Sequence, residues 1–353
     1  MVEYLSSTSD IKSHVICIDR QADGVGNGRK PAGDVVRLKT LYQGDNPLLR
    51  FVTFLYDGWR LILEARKYKN SLVVVTTSPP LLPMWATLLL QKKTRWAMWS
   101  FDLFPEGFQV TNFISKSNPL YRFARKMTYT GRPEFLIALG DQQAIYLQKA
   151  YQQAIPAQIL PCGVFVHQEA ETGAPDWWIP NFIYLGYCGN IGDPHNPEFI
   201  KAAIDHINPD TQRLVLALYG KKADAVKTYA IGKPGVVLVD RVPRNQLHFI
   251  DIHLVSLTTA WTHIAVPSKA ISAVCMGASI LFCGDKESDN WYMLQKAGWF
   301  IAENDTMSDQ VKSFLSVLKT SDIKEKKAAA QQISQQLHEN VRKTYAFIRA
   351  KIK

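Results

Sequence analysis

Apolar residues along the chain fall into short, nearly continuous runs bounded by turn residues, and helical periodicity fills the intervals between them. In the first half "HVICIDR", "VVRLKTL", "SLVVVTTS", "RWAMWSF", "FLIALG" and "AQILPCG" predict strands. In the second half "FIYLGYCG", "RLVLALYG", "GVVLVDR", "IHLVSL", "SILFCG" and "WFIA" do the same. Between them, segments such as "PLLRFVTFLYDGWRLILEARKY", "DQQAIYLQKAYQQ", "NPEFIKAAIDHI" and "SDNWYMLQKAG" predict helices. Strands that are apolar throughout belong to parallel sheets covered on both faces, because each crossover lays a helix on one face. The pattern therefore predicts an α/β protein of two doubly wound, Rossmann-like domains.

The polar, Gly- and Pro-bearing stretch "HQEAETGAPDWWIPN", His167–Asn181, separates the two strand series and reads as the linker. This puts the first domain at residues 1–166 and the second at 182–330. Residues 331–353 continue a long helical pattern with no strand after it, expected to cross back to the first domain. The length of 353 residues suits two domains. The glycine-rich "DGVGNGRKPAG", Asp23–Gly33, does not fit GxGxxG and reads as a loop.

Composition narrows the partners. Hydrophobic residues make up 47% of the chain, so disorder is excluded and a large core is available. The five cysteines show no CxxC pairing and read as reduced thiols of a cytoplasmic protein. No signal-like segment opens the chain, and "PPLLPMWATLLL" is too short to span a membrane, so a soluble protein is expected. A formal charge of +10 favours anionic partners: nucleotide phosphates, phospholipid or nucleic acid.

Ligands of open parallel sheets bind at the carboxyl ends of strands, where helix N-termini offer free N–H groups. Three segments put unusual residues there. "YCGNIGDPHN" carries the turn Gly189-Asn190-Ile191-Gly192, which suits either close approach of a ligand or a tight strand-to-helix turn. "LYGKKAD" places Lys221 and Lys222 at a helix start, where an anion would compensate them, or where they are simply solvated. In "VPSKAIS" Ser268 is expected to cap a helix beside Lys269, a point charge suited to phosphate; an ordinary capped helix is the alternative.

The run "DIHLVSLTTAWTHIAVPSKAISAVCMGASILFCG", Asp251–Gly284, resembles the donor-binding half of retaining glycosyltransferases of the GT-B fold, family four type, in the branch that includes WbuB-like sugar transferases. The family's Gly-Asn-aliphatic-Gly turn with a following histidine is matched by Gly189, Asn190, Ile191, Gly192 and His195, and its Pro-Arg element by "VPRNQLHFIDIHLV". In the first domain "VTTSPPLLP", "SFDLFPE" and "ILPCGV" resemble the family's Ser-Pro-Pro loop, Asp-Leu-Trp-Pro-Glu segment and linker entry.

The resemblance implies transfer of a sugar, with retention, from a nucleotide-sugar of the UDP class to a glycan or lipid-linked acceptor in polysaccharide biosynthesis. Gly189, Asn190, Gly192, His195, Lys221, Arg241, Ser268, Lys269 and Ser272 would bind the donor. Asp102 and Glu106 would stand on the acceptor side, Asp102 orienting or deprotonating the acceptor hydroxyl or else capping a turn. His195 would touch phosphate or sugar, or satisfy a loop backbone. No metal and no cofactor beyond the donor is expected, nor a nucleic acid partner.

Departures from the family keep two rivals open, a GT-B sugar-nucleotide epimerase and a noncatalytic nucleotide-binding relative. Ile264 and Ser272 stand where many relatives have two glutamates, Phe101 stands where many have a histidine, and the opening crossover looks short. Finally, Arg50, Arg60, Arg66, Lys67, Lys69, Lys92, Lys93 and Arg95 crowd the first domain beside Phe54, Trp59, Trp85 and Trp96. They suggest peripheral contact with an anionic membrane at its inner face, or a solvated basic face over core aromatics.

Overall fold

The computed structural model describes residues 1–6, 11–19, 33–44, 46–90, 94–164 and 173–352. The glycine-rich loop, apart from Gly33, Lys92 and Lys93, and the first part of the expected linker lie outside the described residues. The chain divides into two compact units. The first comprises 1–138, 144–160 and 342–353, and the second 139–143 and 161–341.

The first unit begins with α1 (Val2–Ser6), β1 (His14–Asp19), β2 (Asp34–Lys39) and α2 (Pro47–Ala65). It continues through β3 (Val73–Thr76), α3 (Leu82–Leu89), β4 (Trp96–Trp99), α4 (Glu106–Val110) and α5 (Pro119–Tyr129). Then come β5 (Leu136–Ala138), α6 (Asp141–Tyr151) and β6 (Ala157–Ile159). Strands β3-β4-β5-β6 form one parallel sheet in that order, while β1 and β2 pair in parallel as a separate two-stranded sheet. The single sheet expected for this half is therefore split among the described residues.

The second unit holds β7 (Ile183–Asn190), α7 (Pro197–His206), β8 (Gln212–Tyr219), α8 (Ala223–Ala230), β9 (Val236–Leu238) and β10 (Ile252–Ser256). After these come α9 (Ser268–Cys275), β11 (Ser279–Gly284), α10 (Asp289–Leu294), β12 (Gly298–Ala302) and α11 (Met307–Val317). Its six parallel strands run β12-β11-β10-β7-β8-β9. Strands β10 and β11 are buried along their whole length, as continuous apolar runs covered on both faces must be.

The last helix, α12 (Thr320–Ile352), has its residues 342–352 in the first unit, as the uninterrupted helical pattern at the end of the chain led us to expect. There Phe347 meets Phe135 edge to face at 5.3 Å, Thr344 Oγ1 donates to the Ile159 carbonyl at 2.9 Å, and the Met1 ammonium donates to the Tyr345 hydroxyl at 3.0 Å.

Three helices start on an Asn-Pro pair. Asn46, Asn118 and Asn196 each accept hydrogen bonds from the first-turn N–H groups of α2, α5 and α7, and the following proline takes the first helical position, whose N–H would have no partner.

Candidate functional site

In the second unit the chain passes from β7 outward through β8 to β9, then returns to lay β10 on the other side of β7. The crevice outside the carboxyl ends of β7 and β10 is thus the topological switch point, where α/β sheets bind ligands. The loop after β7 is tied there. His195 Nδ1 lies 2.7 Å from the Ser256 carbonyl at the end of β10, and Asn196 N donates to Ser256 Oγ at 3.1 Å. Thr258 N donates to the Pro194 carbonyl at 2.8 Å. The segment that follows the turn Gly189-Asn190-Ile191-Gly192 is therefore fastened to the end of β10.

Glycine is required at two points of this rim. Gly189 has φ +137°, and Gly220 has φ +99° with the Asn190 side chain packed where a Cβ would stand, 1.8 Å from Oδ1. Gly163 of "PCGV" closes the rim beside α9. A Cβ on it would lie 2.5 Å from the Ser268 carbonyl and 2.8 Å from Ser272 Oγ.

Lys269, in the first turn of α9, reaches across to β7. Its ammonium donates to the Asn190 carbonyl at 2.9 Å and to the Tyr187 hydroxyl, and lies 4.0 Å from the centre of the Tyr187 ring. No carboxylate among the described residues is within ion-pair distance of it. Burial without a counter-ion disfavours the charged form, and the pKa of Lys269 falls to about 7. The same burial pushes the Tyr187 hydroxyl upward and the Cys188 thiol up to about 12.

His195 is buried, and desolvation, helped by the nearby Lys269 charge, lowers its pKa to about 3. The imidazole is neutral at ordinary pH. Its Nδ1 faces a carbonyl, so we assign the proton to Nδ1 and leave Nε2 as an acceptor. Such a ring suits a ligand hydroxyl rather than a phosphate.

The remaining candidates differ in how far they are already engaged. Lys222 donates to the carbonyls of Asp193 (3.2 Å) and His195 (2.9 Å), bracing the loop, whereas Lys221 is exposed and paired with Asp193 at 3.2 Å. Ser268 is exposed and is the first helical residue of α9. Pro267, not Ser268, holds the cap position, with no side-chain cap bond. The helix thus starts one residue earlier than a serine cap would place it, on a proline whose ring fixes φ but offers no side-chain acceptor to the first N–H groups. Ser272 Oγ lies 3.5 Å from the Gly163 carbonyl. Ile264 is buried in the core, and Arg241 is exposed in the turn after β9.

Asp102 and Glu106 lie in the first unit, beyond the carboxyl end of β4. Asp102 is exposed to solvent, yet the protein around it raises its pKa above the ordinary carboxylate value by desolvation. Glu106 is buried. It accepts from Arg125 Nε and from the Tyr146 hydroxyl, each at 3.2 Å, an arrangement that anchors α4 to α5 and α6. Of the side chains expected to meet a membrane, Trp96 is buried and Trp85 packs in an apolar cluster, while Arg95 pairs with Glu134 at 2.6 Å.

No protein-family model and no curated protein matches the sequence. Solved structures do match. The sucrose-phosphate synthase of Thermosynechococcus elongatus superposes with a TM-score of 0.68 at 14% identity, covering 96% of this chain and 88% of that one. WaaG, a glycosyltransferase of lipopolysaccharide biosynthesis, gives a TM-score of 0.60 at 13% identity over 88% and 85% of the two chains. An E. coli trehalose-6-phosphate protein bound with UDP-2-fluoro glucose gives 0.61 at 9% identity over 86% and 79%. The fold is thus the GT-B architecture, with two Rossmann-like halves built on parallel sheets and a C-terminal helix. No helix among the described residues is long and apolar enough to cross a membrane.

Proposed function

We propose that the chain is a retaining glycosyltransferase that binds a nucleotide-sugar, of the UDP class, at the β7–β10 switch point and passes the sugar to a glycan or lipid-linked acceptor in polysaccharide biosynthesis. One observation carries the reading: Lys269 is a largely buried cation with no anionic partner among the described residues, at the strand ends where this fold takes ligands. A buried charge without a partner is costly. A diphosphate would supply the missing anion, and the first N–H groups of α9 would add to its hold.

In this mechanism Lys269 stabilises the charge that develops on the leaving diphosphate, already positioned before the bond breaks. The Gly189–Gly192 turn admits the phosphates against backbone, Lys221 and Arg241 extend the positive rim, and His195 Nε2 accepts from a donor hydroxyl. Asp102 orients the acceptor hydroxyl or takes its proton, and its raised pKa favours proton uptake. GT-B neighbours such as the sucrose-phosphate synthase support sugar transfer in general, and the UDP-sugar analogue in the trehalose-6-phosphate protein supports the donor class.

A second reading, a noncatalytic nucleotide-binding relative, is favoured by Ile264, whose buried alkyl side chain stands where many relatives carry a glutamate. Calorimetric titration of UDP, followed by a panel of UDP-, GDP- and ADP-sugars assayed for nucleotide release with and without glycan acceptors, separates the two. UDP affinity without release from any sugar nucleotide would favour the noncatalytic reading. Absence of any nucleotide affinity would remove both.

A further inference from the structure

Helix α2 is apolar on two faces. The inner one, with Leu61, Ile62 and Ala65, is buried. The outer one carries Leu48, Val52, Tyr56 and Trp59, whose spacing stacks them on one side of the helix. Leu48 is 66% and Val52 52% exposed, where a surface helix is ordinarily polar. A second group lies on α5 and the turn before it, with Leu120 70% and Phe123 54% exposed, and Phe113 exposed beside them in sequence. The two groups adjoin. Phe51 of α2 meets Phe113 with ring centroids 5.5 Å apart, and Phe51 and Leu55 pack on the same cluster as Ala124 and Met127 of α5. Apolar side chains scattered singly over a surface are ordinary, but neighbouring helices that both turn them outward mark an interaction surface.

The charge around these side chains indicates what covers them. From Gly107 to Pro133 the chain carries five basic residues and no acidic one. Of the five, Lys116, Arg122, Lys126 and Arg132 are exposed, as is Arg50 on α2. The acidic residues of α2 are engaged: Asp57 is buried and accepts from Thr40 Oγ1 at 2.7 Å, and Glu64 pairs with Lys67 at 2.6 Å. Arg60 lies over the Tyr56 ring at 5.5 Å, and that ring is 5.7 Å from Trp59. Aromatic groups with polar tips settle where hydrocarbon meets water.

We propose that the outer faces of α2 and α5 form a docking surface for an anionic lipid bilayer. Leu48, Val52, Leu120 and Phe123 enter the headgroup boundary while Arg50, Lys116, Arg122 and Lys126 meet lipid phosphates. A second copy of the chain suits the surface less well, because a two-fold interface would set these same cations against one another. The docking surface is independent of sugar transfer, since vesicles alone assay it.

The test is flotation of the whole chain with phosphatidylcholine vesicles, with and without phosphatidylglycerol, at low and high salt. The expected result is binding to the anionic vesicles that salt weakens. The pairs Leu48→Ser with Val52→Ser and Leu120→Ser with Phe123→Ser should each lower the partition coefficient by at least about tenfold. Arg122→Gln with Lys126→Gln should reduce the preference for anionic lipid by at least about tenfold, leaving the remainder to Arg50 and Lys116. All six positions are exposed, so circular dichroism melts should stay unchanged and report that the variants fold. Equal binding to neutral and anionic vesicles, no binding, or binding indifferent to the apolar pairs overturns the proposal. So does a concentration-dependent dimer that the apolar pairs dissolve and that ignores vesicles.

Discussion

If Lys269 meets the donor diphosphate, UDP affinity must weaken as pH rises, in a way that substitution of this one residue removes. Unliganded Lys269 has a pKa of about 7 because burial disfavours its ammonium. Beside a diphosphate the ammonium regains a counter-charge, so its pKa in the complex rises toward the ordinary lysine value and binding above neutrality takes up a proton. The fraction of free protein already charged is about three-quarters at pH 6.5 and about one-thirtieth at pH 8.5 for a pKa of 7. Apparent affinity scales with that fraction, so UDP should bind about 25-fold more weakly at pH 8.5, a difference of about 1.9 kcal/mol. Titration of the terminal phosphate near pH 6 opposes this by less than about twofold. Isothermal titration calorimetry in buffers of different ionisation enthalpy reads both quantities, the affinity and nearly one proton taken up at pH 8.5. Lys269→Met should bind UDP weakly with no such slope. It should also raise the melting temperature of the unliganded protein at pH 6, where the wild-type ammonium is charged, buried and without an anionic partner among the described residues. A wild-type affinity independent of pH, or a slope that persists in Lys269→Met, would refute the reasoning.

Three further outcomes are expected. His253, buried in β10 with its pKa lowered to about 4 by desolvation, is neutral in the folded chain, whereas the unfolded chain protonates it near pH 6.5. Its contribution is lost as pH falls through that window, about 2.5 kcal/mol between pH 7 and 4.5, and urea titrations of wild type and His253→Gln at both pH values should show the loss reduced in the variant. Glu106→Ala should destabilise the fold by about 1–3 kcal/mol, since it removes the carboxylate that Arg125 and the Tyr146 hydroxyl share while the half-exposed Arg125 stays partly solvated, and UDP affinity should stay unchanged. Asp102→Asn should leave UDP binding intact and lower sugar transfer by a factor on the order of 100, measured as nucleotide release with acceptor present; unimpaired transfer would leave Asp102 a structural residue.

The strands were the most legible part of the sequence. Every apolar run from "HVICIDR" to "WFIA" contains one, because continuous burial in a parallel sheet leaves a pattern that needs only local reading. Helices α2 and α7 fall in segments expected to be helical, whereas α5, which opens on the same Asn-Pro pair, was not among them because its basic, mixed surface obscures the apolar stripe. The pairing of β1 with β2 apart from the main sheet was not, since strand partners are chosen by tertiary packing that apolar content does not encode. At the site, Lys269 was visible as a cation at a strand end, but its buried, unpaired state depends on Tyr187, which reads in sequence as one more core aromatic of "FIYLGYCG". Alternating positions of a strand buried on both faces carry no mark of which hydroxyl faces a ligand. The partners of Glu106 are equally hidden, lying 19 and 40 residues further along the chain.

Where a nucleotide sits tests the assigned site most directly. A crystal structure of the full chain grown with UDP should place the diphosphate outside the carboxyl ends of β7 and β10, with Lys269 Nζ within hydrogen-bond distance of a phosphate oxygen and the Gly189–Gly192 backbone beside it. A diphosphate bound elsewhere, or one at this crevice with Lys269 still turned onto Tyr187 and Asn190 and touching no phosphate, would contradict it.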